Sequence, residues 1–486
     1  MNVIVIVADT WGIDYLGCYG NTWIATPNID QLARDSIVFE NAYAEGCPTV
    51  PTRRALLTGR YTLPFRGWGP LLPEDRTLAD ILWSRSVRTA LITDTSPMHK
   101  SGYGYERGFD FVRYFRGQWS DHFYRDDPCT IDPDRFHKPA YDPDRRGERI
   151  ELPASIFARM ELQDYLPLRQ KWGGEEDQMA AVVARAALGW LEEVDRERPF
   201  LLWLDSFDPH EPWDPPSVWE PGVKCPYDPD YDGMDIINPV PTVADYYLTE
   251  REAHHIRMLY AEKVTMVDRW LGKVLDRLKE LELYQDSLII FISDHGQPLG
   301  NGEHGHGIMR KCRPWPYEEL VHIPFIVHYP GACHRRIPAF VQTVDVAPTI
   351  LDFLGMTDVA GNMQGKSLVP LIHGEVDRLR DCAIAGYYNF SWSIITDDWS
   401  YVHWIDGKDQ GDVRKIGACL GLVSMEENPE VWTCAAGGLA ETPEENELYD
   451  RRKDPYQQRN LLQQQPDVAR DLHGHLMELM LKLRAG

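Results

Sequence analysis

Residues 287–296 read Ser-Leu-Ile-Ile-Phe-Ile-Ser-Asp-His-Gly, and this stretch decides the fold class. Continuous rather than alternating apolar side chains mark a strand covered on both faces, as in a parallel sheet. The run stops at Ser293-Asp294-His295-Gly296, so a carboxylate and an imidazole stand at the end of a buried strand. Charge at such a place is costly unless it is paired or bound to a metal. Similar apolar runs occupy 3–8, 89–93, 200–204 and 324–328, and helical patterns lie between them at 27–36, 52–58, 78–84, 177–193 and 249–283. Alternation of this kind predicts a doubly wound α/β domain.

After about residue 375 the pattern changes. Short aromatic strands at 382–388, 391–396 and 399–404 precede a last helix at 466–483. The expected division is a catalytic domain at 1–375 and a small α+β domain at 376–486. Two segments, 103–174 and 211–247, show little regular pattern and are rich in Asp, Pro, Tyr, Trp and Arg. Long insertions of this kind serve as lids over a site or as surface and oligomer contacts.

With 486 residues, 43% of them hydrophobic, the chain can bury a large core. A net charge of −25 argues against nucleic acid and anionic membranes as partners, since both need basic stripes. Small mono-anions are the easier expectation as substrates. The opening apolar run lacks a basic leader and is too short to span a membrane. Nine cysteines at scattered spacings resemble reduced thiols rather than a disulfide framework. A soluble, cytoplasmic protein is expected.

Ligands of open parallel sheets bind outside the carboxyl ends of the strands. Three predicted strands end in metal-ligand chemistry: the first in Asp9, the 200–204 run in Asp205 followed by Asp208-Pro209-His210, and the 287–292 run in Asp294-His295. Mixed carboxylate and imidazole donors suit zinc, manganese or iron, whereas oxygen-only cages suit calcium or magnesium. The segment Thr49-Val50-Pro51-Thr52-Arg53 places a hydroxyl before a proline that can open a helix, with an arginine one turn on. Helix N–H groups then face an anion beside Thr49, although a threonine there is more often a plain cap. A divalent ion would lower the pKa of this hydroxyl and neutralise the anion. His254 and His255, inside the long helix, read as polar surface residues.

Taken in order, these elements resemble the sulfatase family of the alkaline phosphatase superfamily. The resemblance runs from Asp9-Thr10 and Leu16-Gly17-Cys18-Tyr19-Gly20 through Thr26-Pro27-Asn28, Pro51-Thr52-Arg53, Leu57-Thr58-Gly59-Arg60 and Gly108-Phe109-Asp110. It continues through Asp208-Pro209-His210-Glu211-Pro212-Trp213, Ser293-Asp294-His295-Gly296 and Gly302-Glu303-His304-Gly305 to Glu447-Leu448-Tyr449-Asp450. The resemblance implies an alkaline-phosphatase-like α/β/α sandwich with a mostly parallel central sheet. It implies that Asp9, Asp294 and His295 bind a divalent metal (manganese, zinc or calcium) with Thr49 facing it. Arg53 would steady the nucleophile and the substrate oxyanion, and His210 and Lys311 would hold the anion or protonate the leaving group. A second metal would draw on His304 with Asp208 or Asp205 and His210. Dimers or tetramers are common among relatives.

Three departures matter. Sulfatases carry Cys or Ser at the Thr49 position, which maturation converts to formylglycine; Thr is not expected to be converted. Asp9 is followed by Thr10 instead of a second acid. The usual Gly-Lys-Trp-His segment is replaced by Thr93-Asp94-Thr95-Ser96-Pro97-Met98-His99-Lys100, where His99 or Lys100 would be the basic contact. A formylglycine hydrate expels sulfate by hemiacetal collapse, a route closed to Thr. The expected function is therefore a metal-dependent hydrolase of phosphate diesters or phosphonate esters with Thr49 as nucleophile. The alternatives are a sulfuric ester hydrolase adapted to Thr and a pseudoenzyme that only binds. Arg116, Trp119, His122, Tyr124, Trp213 and Trp315 are candidates to shape the pocket.

Overall fold

A computed structural model describes residues 1–119, 121–143, 149–300, 306–311, 315–405 and 445–485. Twelve strands are found among them: β1 Asn2–Ala8, β2 Ile37–Tyr43, β3 Arg88–Thr93, β4 Phe111–Tyr114, β5 Phe200–Ser206, β6 Ser287–Ser293, β7 Phe325–His328, β8 Arg335–Gln342, β9 Ala383–Tyr387, β10 Ser391–Ile395, β11 Trp399–Trp404 and β12 Glu447–Asp450. The first eight form one sheet in the order β4-β3-β5-β1-β6-β7-β2-β8, and the last four form a second in the order β12-β11-β10-β9. In the large sheet only β7 runs antiparallel to its neighbours, so the sheet is mostly parallel as expected.

The continuous apolar runs have a direct cause. Ile4, Ile6, Ile289, Phe291, Leu202 and Leu204 pack on one face, while Val3, Val5, Ile290, Ile292, Leu201 and Trp203 pack on the other. Because successive strand side chains alternate, both faces demand apolar residues. The 31-residue helix Glu250–Glu280 covers the first face. Helices Thr49–Thr58 and Val346–Phe353 cover the second. Helix Pro466–Ala485 lays Leu472, Leu476 and Met480 on the small sheet.

The sequence reading missed several elements. β2 and β8 lie at the far side of the sheet and carry Glu40, Asn41, Arg335, Arg336 and Pro338, which breaks the apolar signal. β8 is the edge strand and tolerates them because one side needs no partner, whereas β2 is paired by β7 and β8 and carries Glu40 where its register with β8 shifts. Segment 103–174 is also more regular than expected. It contributes β4 and the 17-residue helix Pro153–Arg169, whose buried face includes Glu161 and Asp164 and so does not read as apolar. No helix among the described residues is long and apolar enough to cross a membrane.

Phe291 is fully buried, so Phe291→Ala should lower stability by about 3–5 kcal/mol, read from the urea midpoint. Trp83, which is 63% exposed, should lose no more than about 0.5 kcal/mol on the same change. Equal effects at the two sites would contradict the two-faced core.

Candidate active site

Three adjacent strands set the frame. Ala8 of β1 is registered opposite Ser206 of β5 on one side and Ser293 of β6 on the other. Asp9 and Asp294 therefore leave the sheet at one level, and Asp205 sits one residue below, opposite Val7 and Thr93. The Ser293 hydroxyl, 2.9 Å from the Ala8 carbonyl and 2.7 Å from that of His295, also accepts the Trp11 N–H at 3.0 Å. It ties the two strand ends together.

Helix Thr49–Thr58 reaches the same edge with every residue buried. It begins earlier than the sequence suggested. Pro48, joined to Cys47 by a cis peptide bond, is the cap residue, and Pro51 lies third in the first turn. Proline is tolerated there because the first N–H groups have no helical partner. No side chain caps this end. Thr49 is thus not a cap: its Oγ1 lies 3.4 Å from His295 Nε2. The small sheet supports the approach, since the Cys47 N–H donates to the Gly386 carbonyl at 2.8 Å. A Cβ at Gly386 would sit 2.1 Å from the Ser391 carbonyl oxygen, so only glycine fits.

Arg53 is fully buried among three carboxylates. Its Nε donates to both Asp205 oxygens at 3.1 and 3.0 Å, and Nη2 donates to Oδ1 at 2.7 Å. Thr95 Oγ1 adds a bond to the same Asp205 oxygen at 2.9 Å. Nη1 points the other way, to Asp294, to Asp9 Oδ2 at 2.9 Å and to the Thr49 carbonyl at 3.4 Å. Burial alone would lower the guanidinium pKa, but the carboxylates raise it.

The two aspartates at the strand ends differ in their surroundings. Asp294 Oδ1 accepts the N–H groups of Thr10 at 3.0 Å and His295 at 2.8 Å. Burial would raise its pKa, but His295 and Arg53 hold it at about 2. Neither oxygen of Asp9 accepts a hydrogen bond, and burial followed by the Asp294 charge raises its pKa well above the usual range. His295 Nδ1 lies 2.8 Å from the Gly296 carbonyl. A carbonyl only accepts, so Nδ1 carries the proton and Nε2 presents a lone pair. One ligand atom from each of Asp9, Asp294 and His295 lies within 4.8 Å of the others. Two buried carboxylates, one of them (Asp9) accepting no hydrogen bond, and an unprotonated imidazole nitrogen fit a divalent cation.

A second cluster flanks the first. His210 Nδ1 is 2.6 Å from the Glu211 carbonyl, so its Nε2 is again the acceptor and takes a bond from Lys311 Nζ at 2.6 Å. Lys311 Nζ also reaches Glu211 Oε1 and Oε2 at 3.0 and 3.2 Å. Desolvation, opposed by Glu211 but joined by Lys311, pushes the His210 pKa well down, leaving the ring neutral. Phe207 stacks on it at 3.9 Å, and Trp119 lies 5.7 Å away on a tilted plane. The Lys311 carbonyl accepts Tyr387 Oη at 2.7 Å, a second contact from the small sheet.

Other expected residues are placed differently. Asp208 is taken up by Gln118 Nε2 at 3.1 Å, the Ala180 N–H at 3.0 Å and Lys263 at 3.3 Å. Asp205 serves Arg53 and His210 serves Lys311, so none of the three joins the Asp9–Asp294–His295 group, and His304 lies outside the described residues. His99 stacks on Tyr114 at 4.2 Å, and burial pushes its pKa down to about 4. Trp213 is core, its Nε1 donating to the Pro209 carbonyl at 3.1 Å. His255 is not a surface residue: it is buried between Asp228 and Asp235, at 2.9 Å each, under the Tyr231 ring. Sequence reasoning missed Glu211 and Arg310, although each is the chain neighbour of a residue it did single out.

The Sulfatase family model matches residues 1–356, and a model of the C-terminal part of N-sulphoglucosamine sulphohydrolase matches 302–412. The arylsulfatase of Clostridium perfringens (strain 13 / Type A) is 25% identical over 425 residues, covering 80% of this chain and 82% of that protein. The multifunctional alkaline phosphatase superfamily protein PehA of Trinickia caryophylli is 26% identical over 428 residues, covering 76% and 77%. Among solved structures, the phosphonate monoester hydrolase of Agrobacterium radiobacter superposes with a TM-score of 0.67 at 21% identity, covering 100% of this chain and 95% of that one. With the family model spanning most of its length, this chain belongs to the sulfatase family of ester hydrolases.

Proposed function

We propose that the chain is a metal-dependent hydrolase of phosphate diesters or phosphonate esters, with Thr49 as nucleophile. The observation that carries this reading is the Thr49 hydroxyl at an uncapped helix start, 3.4 Å from His295 Nε2. Its identity as Thr removes the formylglycine route that suits sulfate, and a plain alkoxide ester is better matched to phosphorus. Similarity to PehA and to the fold of a phosphonate monoester hydrolase supports the choice.

Asp9, Asp294 and His295 Nε2 would hold the ion. A bound divalent ion lowers the pKa of a neighbouring hydroxyl and neutralises charge on the ester. The remaining work falls to side chains. Thr49 gives up its hydroxyl proton to solvent, its Oγ1 adds to phosphorus in line with the leaving oxygen, and the bond from phosphorus to that oxygen breaks. Lys311, held against His210 Nε2, gives the departing oxygen its proton. Thr49 then carries the remaining phosphoryl ester, which water cleaves to restore the hydroxyl and release the acid. Asp205 fixes two nitrogens of Arg53, so that Nη1 stays beside Thr49.

On one manganese-loaded preparation, an aryl phosphodiester should be cleaved faster than the matching aryl sulfate. Thr49→Ala should lower kcat at least about a thousandfold. Faster sulfate cleavage would replace this reading with a sulfuric ester hydrolase. No turnover of either ester together with no metal uptake would favour a binding protein.

Metal binding supplies an independent check. Burial and the Asp294 charge raise the Asp9 carboxyl well above its usual range, so ion uptake competes with its protonation. Affinity should therefore rise with pH, and calorimetry in buffers of different ionisation enthalpy should detect proton release on binding. Asp9→Asn should weaken binding by at least roughly a hundredfold. Affinity that does not change with pH or with this substitution would place the ion elsewhere.

A further inference from the structure

The Lys311–His210 pair does not stand alone. Arg310, one residue before Lys311, is fully buried, as is Glu211, and Glu161 is 2% exposed. Arg310 Nε donates to Glu211 Oε1 at 2.7 Å, and its Nη1 donates to Glu161 Oε2 at 3.0 Å and the Pro239 carbonyl at 3.2 Å. Glu161 is held in turn by Asn238 Nδ2 at 3.0 Å and by Trp119 Nε1. Glu211 also receives Gln297 Nε2 at 3.1 Å. Trp119 and Glu161 come from segment 103–174, and Asn238 and Pro239 from segment 211–247. The chain Lys311–Glu211–Arg310–Glu161 thus fastens both long insertions to the site.

Stability alone does not account for it. A buried ion pair is weak evidence for stability, because well-packed apolar residues serve as well. Two members, moreover, adopt strained backbones: Trp119 has φ of 45° and Arg310 has φ of 67°. Non-glycine residues persist in that region only where their surroundings over-determine them, and such residues cluster at functional sites. Here both lie against the same pair, with Trp119 beside the His210 ring and Arg310 adjoining Lys311 in the chain.

We propose that Glu161 and Arg310 are positioning residues for the proton donor: by holding Glu211 they set the Lys311 ammonium against His210 Nε2. Removing the Glu161 charge loosens Arg310 at that end and shifts its pull toward Glu211, drawing that carboxylate off Lys311. The insertions are then parts of the catalytic scaffold, with Trp119 and Asn238 reporting their placement to Glu161. The inference rests on the reading of Lys311 as the acid for the leaving oxygen.

That role predicts a selective defect. A 4-nitrophenyl ester needs little protonation as it leaves, whereas a phenyl ester needs a well-placed acid. On the manganese-loaded full chain, Glu161→Gln and Arg310→Lys should lower kcat for the phenyl ester at least tenfold more than for the 4-nitrophenyl ester of the same acid, with KM nearly unchanged. Trp119→Phe, which keeps the ring and removes the indole donor, should show the same bias more weakly and guards against a folding defect in the charge variants. Equal losses on both esters would overturn the proposal. Lys311→Met is run alongside. If it shows the bias and the other variants do not, the positioning chain fails while the acid stands. If Lys311→Met itself shows no bias, the reading of Lys311 fails and takes this inference with it.

Discussion

The guanidinium of Arg53 is the interaction on which the site depends. It bonds Asp205, Asp294 and Asp9 at the ends of three neighbouring strands, with no solvent contact. Three carboxylates so close together cannot stay ionised in a buried setting without compensating positive charge. Arg53 supplies part of it, and Asp9, which meets Arg53 as an ion pair but accepts no hydrogen bond, marks where the compensation is incomplete. Fold and chemistry meet here: the parallel register β5-β1-β6 brings the acids to one level, and the helix that delivers Arg53 also delivers Thr49.

Much of this was legible in the sequence. Buried parallel strands declare themselves by unbroken apolar runs, and a polar residue at the end of such a run is conspicuous, which is how Asp9, Asp205, Asp294 and His295 stood out. The partners of those residues were not legible. Nothing in the spacing says that Asp205 holds Arg53 rather than a metal, because both uses need the same carboxylate at the same strand end. Asp208 was grouped with a metal for the same reason and instead bonds Gln118, Ala180 and Lys263. His255 differs from its expected surface position because a lone histidine within a long helix reads as polar surface until the loop carrying Asp228 and Asp235 folds over it.

The least readable part was the role of the insertions. Segment 103–174 contains acids on a buried helix face, and a buried acid is invisible to hydrophobic periodicity. Glu161 makes sense only once Arg310, distant in sequence, is placed beside it. The small sheet has a similar hidden part, since Gly386 and Tyr387 of β9 bond the backbone at Cys47 and Lys311. The segment before Thr49 and the Lys311 backbone, the two ends of the proposed reacting geometry, are therefore braced by chain that follows the large sheet in sequence.

The most direct measurement is mass spectrometry of the peptide carrying Thr49 after acid quench during turnover of an aryl phosphodiester. The account predicts a phosphoryl ester on Thr49 that forms before product accumulates, decays on chase, and is absent from Thr49→Ala. Steady turnover with Thr49 unmodified, or an adduct on another residue, would contradict it.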